Sequence, residues 1–266
     1  MEEKNFDVVI TSNGPGELYS FVRPTVKTLS QKIPNARIIM VIPPCQFSSG
    51  KEIEVARSFK EVYEIIFPQE FNTWIYKNKP PKGIKFSEKG LVLFMGGDLL
   101  NAVLLSRKLK YKAFAYTIDK VAWQKSFLLY FVPDEKMASY AMKKGIPTSK
   151  IRVVGDLMVD GVCPKLTAED FGLDKDKLII TFLPGSRTAH TNFLAPFFLK
   201  TASIIKKYIP DAQFIFGLSP YTNYLKIETA LTYEKAEKES RKYGLFGELI
   251  IENNKKSILA EDGTKI

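Results

Sequence analysis

One recurring pattern constrains this chain more than any other feature: short apolar, β-branched runs that stop at a glycine or proline turn and give way to helical spacing. Residues 6–12 form the first run and Asn13-Gly14-Pro15-Gly16-Glu17 ends it, after which Val22, Val26 and Leu29 share one helical face up to Lys32. A second strand is expected over 36–42. Residues 90–95 end at Gly96-Gly97-Asp98 before a helix over 99–109, and residues 178–183 end at Pro184-Gly185-Ser186-Arg187 before helical spacing over 193–208. Strands of this kind alternating with helices predict an α/β fold with a parallel sheet covered on both faces. Ligands of such sheets bind at the carboxyl ends of the strands, where backbone N–H groups and helix N-termini point outward. An arginine there, Arg187, reads as a partner for phosphate or carboxylate.

Further strands are expected over 62–67, 113–117, 127–132, 151–154 and 212–217, with helices over 51–60 and 134–144, the latter closed by Gly145. One long charged helix is expected over 225–242, then a hairpin of 248–252 with 257–260 about Asn253-Asn254. Residues 71–86 break the pattern. Trp74, Tyr76 and Phe86 among lysines and prolines read as a basic aromatic loop, its aromatics either tucked against the domain or set into a lipid headgroup layer. Residues 164–177 are polar and acidic, as an interdomain linker is, which divides the chain into domains 1–163 and 178–266. The short Gly14-x-Gly16 spacing is not the dinucleotide fingerprint, so a nicotinamide or flavin site is not expected.

Cys45 and Cys163 lack metal-ligand spacing and His190 is the single histidine, so no metal site is expected and a reducing compartment is. The N-terminus has no cationic start and long apolar core, and no apolar run approaches a membrane span of ~20 residues, which predicts a cytoplasmic protein. The net charge of +10 reads as scattered lysine and points to anionic partners: phosphorylated small molecules or an anionic membrane face. Nucleic acid ranks third, because arginine clusters and nucleic-acid-binding motifs are missing.

Four landmarks, in order, carry a family resemblance: Gly14-Pro15-Gly16-Glu17 after the first strand, Ala122-Trp123, the run Val154-Gly155-Asp156-Leu157-Met158-Val159-Asp160, and Leu183-Pro184-Gly185-Ser186-Arg187. Together they resemble lipid-A-disaccharide synthase. The resemblance implies a GT-B-like fold, with a complete N-terminal Rossmann-like domain on the acceptor side and part of a second Rossmann-like domain on the donor side. It also implies an inverting glycosyltransferase that moves a sugar from a UDP-sugar donor to a lipid-linked sugar acceptor, with UDP-sugar as substrate, no cofactor, and a peripheral place on the inner membrane face; a homodimer stays open. Such chemistry needs a base beside the acceptor hydroxyl and positive groups on the departing diphosphate. By resemblance, Gly185, Ser186 and Arg187 serve the diphosphate, Gly14, Gly16 and Glu17 line the acceptor side, and Asp98 is the candidate base, a short step displaced from the family's aspartate. The family's further segment, with a small-residue loop and a glutamate for the donor's ribose and phosphates, has no counterpart here, which implies a chain ending inside the second domain with weak or absent turnover.

Plainer roles stand beside these. Asp98 can cap the helix at Leu99, Glu17 can favour the positive end of its helix, and Arg187 can cap a turn. His190 can face solvent, Asp156 and Asp160 can frame the turn into the linker, and Trp123 can serve packing. A UDP-N-acetylglucosamine 2-epimerase-like enzyme and a non-catalytic nucleotide-sugar or membrane-surface binding module are the alternative functions.

Overall fold

Seven parallel strands built from the apolar runs organise the first half of the chain. The computed structural model describes residues 6–45, 52–162, 166–185, 188–218, 224–252 and 255–266. They fall into two compact units, Met1–Cys163 and Pro164–Ile266. In the first unit β1 (Phe6–Thr11), β2 (Ala36–Val41), β3 (Glu64–Ile66), β4 (Lys89–Phe94), β5 (Lys112–Tyr116), β6 (Phe127–Val132) and β7 (Ile151–Val153) form one sheet in the order β3-β2-β1-β4-β5-β6-β7. β1 is an interior strand, with Val9 opposite Ile39 on one side and Val92 on the other. All three are fully buried, as a strand flanked and covered on both faces requires.

The helices between the strands are α1 (Pro15–Glu17), α2 (Arg23–Lys32), α3 (Glu52–Arg57), α4 (Pro68–Lys77), α5 (Leu99–Leu109), α6 (Glu135–Lys143) and α7 (Leu157–Gly161). Local chemistry sets their ends. Asp134 accepts from the Met137 N–H at 2.7 Å to start α6, and Gly145 at φ +86 lets Ile146 N–H return to the Ala141 carbonyl. Between α1 and α2 the expected continuous helix is a π turn, Leu18–Val22, in which the Arg23 N–H reaches back to the Leu18 carbonyl. Pro24 follows with no N–H to offer, so ordinary helical register cannot be kept across this point.

Residues 71–86 are not a loop throughout. Residues 68–77 are α4, with Pro68 at its first position and the Glu70 carboxylate accepting from the Phe67 N–H at 3.0 Å. Phe71 and Trp74 are 1% and 4% exposed, and Trp74 stacks on Phe86 with ring centres 5.0 Å apart. Phe71, Trp74 and Phe86 therefore belong to the core, whereas Tyr76 is exposed. Proline and lysine density outweighed a real i, i+3 apolar pair, which is why the helix was illegible.

The second unit contains β8 (Ile179–Phe182), α8 (Thr188–Tyr208), β9 (Gln213–Phe216), α9 (Tyr224–Leu231), α10 (Lys238–Tyr243), β10 (Gly247–Glu252) and β11 (Lys255–Ala260). β8 and β9 pair in parallel, and β10 and β11 form the expected antiparallel hairpin. Among the described residues, β8 is covered well on one face only. Phe182 packs with Phe198, Ala202 and Phe214, whereas Leu178 and Leu183 are exposed. An apolar run signals a fully covered strand only where cover exists, and here one face receives α8. The expected helix over 225–242 is two helices. Ile227, Ala230 and Leu231 face the core in α9, but the next buried positions, Ala236 and Ser240, fall off that stripe, so the chain must turn to bury both sets.

Candidate functional site

Two glycine turns meet where the strand order of the first unit reverses. From β1 the chain proceeds to β2 and β3 on one side, and from β4 to β7 on the other, so the crevice at the carboxyl ends of β1 and β4 is the topological switch point. The pairing runs to the strand ends, with Met95 N–H donating to the Thr11 carbonyl at 2.9 Å and Ser12 N–H to the Val41 carbonyl at 3.3 Å. Asn13–Glu17 and Gly96–Asp98 lie directly beyond.

Glu17 joins the two turns. Its carboxylate accepts from the Gly14 N–H at 3.0 Å, the Gly97 N–H at 3.2 Å and the Ser12 hydroxyl at 3.4 Å. Gly96 and Gly97 have φ of +147 and +86; a Cβ on Gly97 would stand 2.6 Å from Asn13 Oδ1, and one on Gly96 would overlap the Glu17 carboxylate. Only glycines let the β4 turn close over Glu17 and Asn13. The structure thus brings Gly14, Glu17 and Asp98 together with Asn13, Gly96 and Gly97. The adjacent glycines were the sequence signal for the last two, while nothing in the sequence marks Asn13 as their support. Gly16 stands apart: beyond its own chain neighbours and helix backbone, nothing lies within 4 Å of where its Cβ would be. Asp98 is exposed and accepts from the Leu100 N–H at 2.9 Å, the geometry of a helix N-cap.

Along the same edge, the ends of β5 and β7 are linked by Tyr116. Its hydroxyl accepts from the Leu157 N–H at 3.2 Å and lies 3.5 Å from the Gly155 carbonyl, while its ring meets Phe21 edge-on. Burial first, and Asp156 and Asp160 in addition, push the phenol above its ordinary pKa against the opposing Leu157 N–H. Asp156 caps α7 through the Met158 N–H at 2.9 Å, so it frames the turn as its plainer reading holds.

Trp123 corrects its packing role. It is 45% exposed with φ +59, and its carbonyl accepts from Ser126 N–H just before β6 begins, at the amino end of that strand and on the opposite edge from the glycine turns. A ten-residue loop in place of a crossover helix leaves this residue without an element to pack under.

In the second unit Gly185 has φ +89, its carbonyl accepts from the Thr191 hydroxyl at 3.2 Å, and the exposed His190 lies beside it. Ser186 and Arg187 lie outside the described residues, as does Cys163. A cavity of about 980 Å³ in this unit runs along β9, lined by Phe214, Phe216, Ile227 and Ile258, and includes none of the expected site residues. Among the described residues no group of three His, Cys, Asp or Glu could hold a metal ion, and no helix is long and apolar enough to cross a membrane.

A parallel Rossmann-like sheet with glycine turns at its switch point, followed by a second α/β unit, defines the α/β fold class of the GT-B proteins. The family model described as lipid-A-disaccharide synthetase matches residues 115–260, more than half of the chain, and the chain belongs to that family. The lipid-A-disaccharide synthase of Actinobacillus pleuropneumoniae is 31% identical over 105 residues, 38% of this chain and 25% of that protein. Its Escherichia coli counterpart is 26% identical over 212 residues, 73% of this chain and 54% of that protein. The chain thus spans between a quarter and about half the length of these relatives. The structure of UDP-GlcNAc 2-epimerase from Neisseria meningitidis bound to UDP-GlcNAc shares the fold at a TM-score of 0.51 and 16% identity, over 85% of this chain and 70% of that one.

Proposed function

We propose that this chain serves glycosyl transfer from a UDP-sugar donor to a lipid-linked sugar acceptor. The observation that carries the reading is the family match over residues 115–260, which includes three of the four landmark motifs. The closed pair of glycine turns at the switch point supports an acceptor side lined by Gly14 and Glu17, with Gly16 exposed in the same turn. Glu17 acts there by holding the two turns, and Asp98, exposed at the same edge, is the proposed base. Gly185, Ser186 and Arg187 are proposed for the donor diphosphate, where a strand-to-helix turn and a guanidinium suit developing negative charge. That a structure of similar fold holds UDP-GlcNAc adds support for a uridine-linked donor.

Isothermal titration of the chain with UDP and with UDP-N-acetylglucosamine tests the reading. Saturable binding that weakens at least about tenfold in Arg187→Ala is expected, given the strength of charge-assisted contacts to phosphate. Absence of binding by either nucleotide would end it. The epimerase reading is favoured only by likeness of fold, and conversion of a free UDP-sugar with no acceptor present is the result that would prefer it.

A further inference from the structure

The turns at the switch point are arranged like a phosphate site that is already full. In open α/β sheets the crevice beyond the strand ends offers converging backbone donors to an anion. Here two N–H groups from separate turns, Gly14 at 3.0 Å and Gly97 at 3.2 Å, converge with the Ser12 hydroxyl at 3.4 Å on one group, and that group is the Glu17 carboxylate. The backbone is shaped around it. A Cβ on Gly96 would overlap the carboxylate, and one on Gly14 would stand 2.9 Å from Glu17 Oε2.

The surroundings are acidic as well. Residues 12–17, 95–98, 133–136 and 154–160, which follow the carboxyl ends of β1, β4, β6 and β7, carry Glu17, Asp98, Asp134, Glu135, Asp156 and Asp160 against Lys136 alone. Asn13 is the neutral polar group at the same place. It is 7% exposed, and its amide lies against Gly97, where a Cβ would meet Oδ1 at 2.6 Å and Nδ2 at 2.8 Å. Among the described residues its side chain makes no hydrogen bond, unlike Ser12 and Gly14 on either side of it. A buried amide with no protein partner has both a donor and an acceptor to offer a ligand.

We infer that Glu17 is a built-in occupant of the anion position, so that the crevice admits the uncharged, hydroxyl-bearing part of a sugar and turns phosphate away, with Asn13 as the contact that recognises the sugar. Phosphate and Glu17 compete for the same two N–H groups. An incoming phosphate would have to displace the carboxylate and would face Glu17 and Asp98 as like charges. A hydroxyl meets neither obstacle, because it donates to a carboxylate while accepting from the Asn13 amide, and phosphate oxygens without a proton can only accept. This deepens the acceptor-side reading, and rests on it for the sugar, by assigning a hydroxyl end rather than a phosphate end of the acceptor to this crevice. The exclusion of phosphate rests on the geometry alone.

Glycine-selective amide NMR spectra of the full chain, read at the Gly14 and Gly97 N–H groups at constant ionic strength, test the inference. In the unaltered chain inorganic phosphate should leave both amides unmoved, whereas N-acetylglucosamine should shift Gly97 saturably. Glu17→Ala vacates the position, and phosphate should then shift both amides with an affinity at least about tenfold above that of the unaltered chain. Glu17→Gln keeps an oxygen for the two N–H groups and should stay closed to phosphate. Asn13→Ala should weaken the sugar about three- to tenfold and leave phosphate excluded. Phosphate-dependent shifts of Gly14 and Gly97 in the unaltered chain or in Glu17→Gln overturn the inference, and neither measurement depends on Glu17→Ala folding. So does a folded Glu17→Ala chain that ignores phosphate, or a sugar response that is absent or unchanged in Asn13→Ala. Failure here is distinct from failure of the transferase reading: a chain that binds UDP through Arg187 yet takes phosphate at Gly14 and Gly97 keeps that reading and loses this inference, and phosphate held in the second unit reports at Gly185 instead.

Discussion

Asp98 can be tested for its two roles separately, because asparagine caps a helix about as well as aspartate but is no base. Asp98→Asn is expected to leave the thermal midpoint unchanged while lowering any transferase turnover by about 10²–10⁴. Asp98→Ala should add a stability loss of about 1 kcal/mol in urea titration, as lost caps do. If Asp98→Asn retains full turnover, the residue is a cap alone. A second carboxylate has a purely structural role. Asp7, fully buried at the start of β1, accepts from Arg37 Nε at 2.8 Å and Nη2 at 3.0 Å, from Ser87 N–H at 2.7 Å and from Tyr111 Oη at 3.2 Å. Its hydrogen bond raises the Arg37 pKa, and burial, with Asp7 in addition, pushes the Tyr111 phenol up. Asp7→Ala should cost about 3–5 kcal/mol in urea unfolding, because it strands a partly buried guanidinium. A loss below about 1 kcal/mol would show the site relaxes around the missing carboxylate.

At the scale of elements, apolar periodicity worked where one stripe served one element and failed where two shared a segment. The strands of the first unit were legible because continuous β-branched runs have one use in a parallel sheet. The break between α9 and α10 was not, since Glu234, Lys235 and Lys238 continue a plausible helix surface while Ala236 and Ser240 are the residues buried. A proline discriminates between the two structures. Lys238 is the first residue of α10, and Glu237 before it is extended at φ −62 and ψ 150, so Lys238→Pro suits both positions. Its stability should stay within about 1 kcal/mol of the parent, whereas one continuous helix would lose about 3 kcal/mol.

For the whole molecule, each unit has its own buried clusters: Val9, Phe71 and Tyr130 belong to one, and Leu199, Ile227 and Ile258 to another. Independent cores predict two cooperative unfolding transitions in calorimetry rather than one. A single transition with equal calorimetric and van't Hoff enthalpies would mean the units unfold together. A ligand bound by one unit should shift one of the two transitions, and this experiment locates the UDP site without a catalytic assay.

The sequence by itself determined the α/β class, the glycine turns at strand ends and the family, because these depend on residue type at fixed short spacing. Tertiary structure alone decided that β1 lies beside β4, since strand order depends on contacts between segments some eighty residues apart, as in Phe6 opposite Lys89. That adjacency turns two separate glycine turns into one site closed by Glu17.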